Sequence, residues 1–338
     1  MESSAADAGR VAPPPRRWYV DPRWMGIAIV TEITAVFLAY MVVNRPVVGP
    51  RLTREEALQH WPAALIGALI VALGVLFVVR ETMRARRLDP VADAPAAQTG
   101  VGEPRVPRSL LVERVPRRWV VAAAAISLAS IPLSFILGAS FPAAWLAFLA
   151  PWIPIVAIEA KWKLARDTVF ACFGLLVILQ LLHMVEHSVQ VGQLLATNGA
   201  LADSHGIFGQ LDFELVHFVT DTTLWIALGL LVIIFKGRNV WLLVAFAAAA
   251  LHQVEHFYLF WLNQVDNDLY LAGGVAGIMG NDGLIGSPLD RPYLHYTYNF
   301  IVFLPMVIAV WDEARRVDRE KLRRPRKRGA ATAPSSGG

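Results

Sequence analysis

The chain has 338 residues, 56% of them apolar and 17% charged, with a formal net charge of +4; its mean hydropathy is +0.48 and its isoelectric point about 9.4. That balance is too apolar for a pair of soluble domains and places the chain in the membrane class. A single cysteine excludes a disulfide framework and a Cys-based metal site.

Crossing about 30 Å of hydrocarbon takes about 20 apolar residues in helical form. Such runs occur near 25–44, 61–79, 119–138, 142–160, 168–190, 213–235, 239–262 and 293–311. The expected fold is therefore all-α: a polytopic membrane protein with about eight transmembrane helices. Residues 1–24 are polar and Pro-rich and read as a disordered cytoplasmic tail. The run after them is a full span without a small-residue cleavage site, so a cleaved signal peptide is not expected. Residues 25–79 form a two-helix hairpin. Its first span carries Glu32, which at that depth needs a partner, a proton or a polar cavity; a proton path and packing against another helix both stay open. In the following loop His60 lies one turn from Glu56 and beside Trp61, so an interfacial His or a weak metal contact is expected there.

Residues 80–118, with Pro90, Pro95, Pro104 and Pro107, have little to bury and read as a Pro/Arg-rich cytoplasmic linker. A six-helix domain, 119–312, follows. Spans three and four form a tight hairpin around Gly138 to Pro142, and Glu159 near Lys161 and Lys163 reads as a solvated charge cluster. Cys172 reads as a small buried hydrophobe. Residues 313–338 form a basic tail that suits anionic lipid headgroups better than nucleic acid.

Spans five to eight contain a repeat. His183-Met184-Val185-Glu186-His187 recurs as His252-Gln253-Val254-Glu255-His256, and GIFGQLD (206–212) aligns with GLIGSPLD (283–290). His217 and Asp221 follow the first copy, four positions apart; His295 and Asn299 follow the second with the same spacing. The pattern reads as a parallel internal duplication of a two-helix unit, about 168–235 and 239–312, with a site shared between the copies. The Gly-rich stretch 273–286 suits a re-entrant segment, a mobile lid or a merely flexible loop.

Basic residues resist translocation. Of the 31 Lys and Arg, only Arg45, Arg51, Arg54 and Arg291 fall on one side of the eight-span arrangement; the other 27 fall on the side of the tails. Both termini are therefore expected in the cytoplasm, beneath a plasma (inner) membrane, with the histidines toward the outer face.

Residues four apart on a helix share a face. His183 and His187 thus converge with Glu186 on their flank, as do His252 and His256 with Glu255, while His217, Asp221 and His295 add donors from neighbouring helices. Burying so many imidazoles and carboxylates in apolar helices is costly unless a cation satisfies them together. The expected metal ligands are His183, His187, His217, Asp221, His252, His256 and His295, with Glu186 and Glu255 as candidate catalytic bases and Asn299, Glu32, His205 and His60 as secondary candidates. A nitrogen-rich set with some carboxylate suits Fe or Cu, or Zn, in one dinuclear or two mononuclear centres.

The letters H-x-x-E-H match the inverted zinc-protease motif, in which two His hold Zn and the Glu acts on water. That resemblance covers five residues. At class level the chain is also similar to membrane histidine-cluster metalloenzymes of the desaturase and hydroxylase kind, though it lacks their H-x-x-H-H boxes and places its cluster on the opposite side. Three functions compete: an oxidoreductase acting on a lipophilic substrate with an external or quinone electron donor, a zinc hydrolase of a lipid or lipid-linked substrate, and a metal-ion transporter. The inner halves of spans five to eight offer a conducted cation little beyond Gln180, which disfavours the last.

Overall fold

A computed structural model describes residues 59–88, 108–139, 141–200, 204, 206–207, 214–266, 277–281 and 283–323. All belong to one compact unit, Pro46–Gly338; the other unit, Met1–Arg45, lies outside the described residues, as do Glu32 and His205. The described residues are helical and contain no strand. The α-helices are α1 (Trp61–Leu88), α2 (Arg117–Ile136), α3 (Phe141–Leu149), α4 (Ile153–Leu164), α5 (Thr168–Ala196), α6 (Glu214–Ile234), α7 (Val240–Val265) and α8 (Arg291–Arg323).

Five of these, α1 and α5 to α8, are long and apolar enough to cross a membrane, and they coincide with the second, fifth, sixth, seventh and eighth expected spans. The first expected span falls outside the described residues. The third corresponds to the 20-residue α2. The fourth is not one helix: a 3-10 turn, Ala150–Trp152, which contains Pro151 and is followed by Pro154, divides it into α3 and α4, because a proline removes a backbone donor and clashes with the preceding turn.

Helix starts are written locally. The Asp167 side chain accepts from Phe170 N at the start of α5, and Asn239 accepts from Trp241 N and Leu242 N at the start of α7, satisfying amides that the first turn leaves without partners. Apolar residues on α1 such as Leu65, Leu69, Leu73 and Leu76 are exposed, as expected where hydrocarbon and not water is the surrounding solvent. The interior is packed by Phe173, Leu228, Leu242, Ala245, Met306 and Ala309, all fully buried. Helix α7 lies at the centre, against α1, α6 and α8, and α5 packs on α8 while barely touching α6. Small residues allow the close approaches: a Cβ on Gly67 of α1 would fall 2.6 Å from Phe257 Cβ of α7.

The end of the bundle opposite the histidines is tied by polar contacts. Arg86 donates to the carbonyls of Lys236 and Gly237, and buried Glu313 accepts from Asn239, Arg238 and Arg316. Three expectations change here. Helix α1 continues to Leu88, and the later part of the expected linker is ordered, with Ser109 bonded to Asp318. Glu159 is buried rather than solvated, and its Oε1 accepts from Arg114 N and Val115 N at 2.5 and 3.1 Å. Cys172 is exposed on α5, not buried.

Candidate metal centre

Cross-helix contacts fix the directions of the four histidine-bearing helices. Glu214 meets His256 while Asp221 meets His252, so α6 and α7 are antiparallel; Gln180 bonds Asn299 while His187 lies against His295, so α5 and α8 are antiparallel. Six histidines consequently come together from four helices. His187, His217, His252, His256 and His295 are buried, and His183 is half-buried.

Within each pair on one helix the geometry repeats. His183 Nε2 and His187 Nε2 are 3.2 Å apart, as are His252 Nε2 and His256 Nε2, with ring centroids 4.5 Å apart in both cases. Two nitrogens each about 2.0–2.1 Å from a shared cation would be separated by this distance at a bite angle of roughly 100°. One N–H···N hydrogen bond would also explain one pair, but not the nitrogens around it. Both ring nitrogens of His217, Nε2 of His295 and Nδ1 of His252 are buried without a hydrogen-bond partner. Asp221 Oδ2 approaches His256 Nε2 to 3.0 Å and His252 Nε2 to 3.7 Å. Each such atom left buried and unpaired costs about 1–3 kcal/mol, and a cation bound by one nitrogen of each ring would offset part of that cost.

Two groups of nitrogens lie close enough to hold a metal ion: His183, His187, His217 and His295 in one, and His252, His256 and His295 in the other. His295 is common to both, with its ring centroid 4.4 Å from that of His187 and 4.8 Å from that of His252. Ring orientation is set from behind. His187 Nδ1–H donates to Gln190 Oε1 at 3.2 Å, and His256 Nδ1–H donates to Glu214 Oε1 at 2.7 Å. In the neutral imidazole, donation from Nδ1 would leave Nε2 as a lone pair aimed into the cluster, the arrangement that orients a metal-binding imidazole. Arg291 donates to the other oxygen of Glu214.

Glu186 and Glu255, the expected bases, face the loops. Glu186 Oε1 accepts from Ile207 N and Glu255 Oε1 from Ile278 N, both at 2.9 Å. The preceding residues are Gly206, at φ +74°, and Gly277, at φ +64°, and at either position a Cβ would overlap the glutamate carboxylate. Gln193 further grips Gly206, donating to its carbonyl and accepting from its N–H. The local counterpart of GIFG (206–209) is thus GIMG (277–280), not the GLIG at 283–286. The latter folds back on GIMG as a closed turn, with Leu284 N and Ile285 N donating to the carbonyls of Gly277 and Ile278.

Of the secondary candidates, Asn299 lies beneath the cluster, accepting from Gln180 and donating to the His295 carbonyl. His60 stands apart, its Nε2 3.6 Å from Asp266 Oδ2. Comparison with known proteins finds no matching family, no matching curated protein and no matching solved structure. The site must therefore be read from its own chemistry. Glu214 and Arg291 were not among the sequence-predicted residues, although an acidic residue three positions before His217 in an apolar helix was the available signal. Gln190, three positions after His187, carries the same kind of signal.

Proposed function

We propose that this chain is an integral membrane metalloenzyme with two adjacent transition-metal positions, Fe or Cu, and that it is an oxidoreductase acting on a lipophilic substrate. The observation that carries the reading is the convergence of six imidazoles and Asp221 from four helices, with buried ring nitrogens that hydrogen bonding leaves unsatisfied. Nitrogen donors with one carboxylate suit Fe or Cu in a closely spaced pair. The metals would supply electron transfer to an external or quinone partner. The protein's own residues orient the ligands, through Gln190 and Glu214, and keep the surroundings apolar. Access for a lipophilic substrate is favoured at His183, the half-buried member of the cluster, which neighbours exposed Leu179 and Leu182.

The zinc hydrolase reading is weaker because Glu186 and Glu255 already accept loop amides. Transport is weaker because Phe173, Leu228 and Leu242 pack the helices beyond the cluster. The matching His–His and Glu–loop geometries of α5 and α7 support a duplication of units about 168–235 and 239–312. The distribution of Lys and Arg supports cytoplasmic termini and an outward-facing site. Metal analysis with optical and EPR spectra of protein purified without chelator tests the reading. Two redox-active metals per chain are expected; stoichiometric zinc alone would favour hydrolysis, and no bound metal would overturn both.

A further inference from the structure

At the end of the bundle opposite the histidines, the segment before α2 meets the end of α4 and the α4–α5 turn, and together they bring two guanidiniums to one ring. Arg114 Cζ lies 5.6 Å and Arg166 Cζ 4.1 Å from the centroid of the Trp162 ring. We infer that this junction binds an anionic phospholipid, with Arg114 and Arg166 on the headgroup phosphate and the acyl chains along the apolar flanks of α2 and α4. The site is separate from the basic tail at 313–338 and does not depend on the metal reading.

The backbone at both arginines is pinned. Buried Glu159 of α4 accepts from Arg114 N and Val115 N, Val115 packs with Ala123 and Ile155, and Lys163 Nζ donates to the Leu111 carbonyl. Arg166 N and Asp167 N both donate to the Lys163 carbonyl. Among the described residues neither guanidinium pairs with a carboxylate: Glu159 is turned to the two amides and to Lys163, 3.9 Å away, and Asp167 to Phe170 N. Exposed Glu113 is the remaining acid, against exposed Arg114, Arg117, Arg118, Lys161 and Arg166. Resistance to translocation explains why cations lie on this side, but not why two of them converge on one indole. A planar guanidinium fork matches phosphate oxygens, and a pair held in place loses little freedom on binding one. The flanks decide for a lipid over a free anion. Trp119 and Val121 of α2 and Ile153 and Ile158 of α4 are exposed, so the cations sit at helix ends that continue into apolar surface, as a headgroup with acyl chains requires. Helices α2 and α3 reach the rest of the bundle chiefly through α4 on α5, and a lipid at this junction would brace that joint.

Native mass spectrometry of the full chain in mild detergent, titrated with phosphatidylglycerol or with phosphatidylcholine of the same acyl chains, tests this. Phosphatidylglycerol should bind about tenfold more tightly or better, and excess inorganic phosphate should leave it in place. Its affinity should fall by about tenfold or more in the double variant Arg114→Gln, Arg166→Gln and change less than about twofold in Arg80→Gln, Arg84→Gln. The second pair removes the same charge from exposed residues of α1. Equal retention of the two lipids by the unaltered protein would overturn the inference, whatever the variants do. Equal losses in the two double variants would also overturn it, marking diffuse surface charge, and so would displacement by phosphate, marking a free-anion site.

Discussion

His256 gives its Nδ1–H to Glu214, and the choice of that partner fixes which nitrogen faces the cluster. Glu214→Gln preserves the shape and removes the charge, so metal affinity at the His252 and His256 position should fall about 10–100-fold, read by titration against a competing chelator. An unchanged affinity would mean that His256 is not a ligand. The i, i+4 histidines were legible because helical periodicity alone puts them on one face. Glu214 was not, since a lone acid at a helix start ordinarily reads as a favourable match to the helix dipole. Nor was the direction in which Glu186 points. On the helix it flanks the histidines, and only the return of the loop reveals that it takes the Ile207 amide. Glu186→Gln keeps an acceptor and should leave amide exchange at Ile207 slow, whereas Glu186→Ala should accelerate it; equal exchange in the two variants would contradict the clamp.

Between helices, buried glutamates recur as holders of backbone. Glu159 takes Arg114 N and Val115 N, Glu186 takes Ile207 N and Glu255 takes Ile278 N. Removing Glu159 should free the segment before α2, so that trypsin cleaves Glu159→Ala after Arg114 faster than the unaltered protein; similar cleavage rates would show that the segment is held by other contacts. At Gly206 an alanine meets both a left-handed backbone and the Glu186 carboxylate. Gly206→Ala should therefore destabilise by about 1–3 kcal/mol, seen as a lower Tm, and the same change at Gly192, where a Cβ has open space, should not. In letters, GLIGSPLD is matched to GIFGQLD by its closing Leu-Asp, although GIMG shares three of its four letters with GIFG. Letters cannot register that a carboxylate selects the Gly-Ile amide. The break in the fourth expected span was visible as Pro151 and Pro154, but apolar run length outweighed it in the reading.

At the scale of the molecule, composition alone made the membrane class legible, and the five long apolar helices follow it. Helix partners were less legible, because sequence order pairs α5 with α6 while packing pairs α5 with α8. The orientation is testable with thiols. In a Cys172→Ser background, a membrane-impermeant maleimide applied outside intact cells should label Ile285→Cys at the histidine end and leave Lys236→Cys unlabelled; the reverse pattern would invert the topology. Metal should also hold the bundle together, since a ligand bound only by the folded state at 100 times its Kd stabilises it by about 2.7 kcal/mol. Stripping with a strong chelator should lower Tm, with recovery on reloading, and an unchanged Tm would argue against a metal bound across four helices.

Asp221 of α6 reaches the histidines of α7, while His295 of α8 reaches those of α5. On the proposed duplication, the two units would exchange donors across their boundary: Asp221 of the first faces histidines of the second, and His295 of the second faces histidines of both. A chain divided in the α6–α7 turn would then recover the full donor set only when its two halves are expressed together.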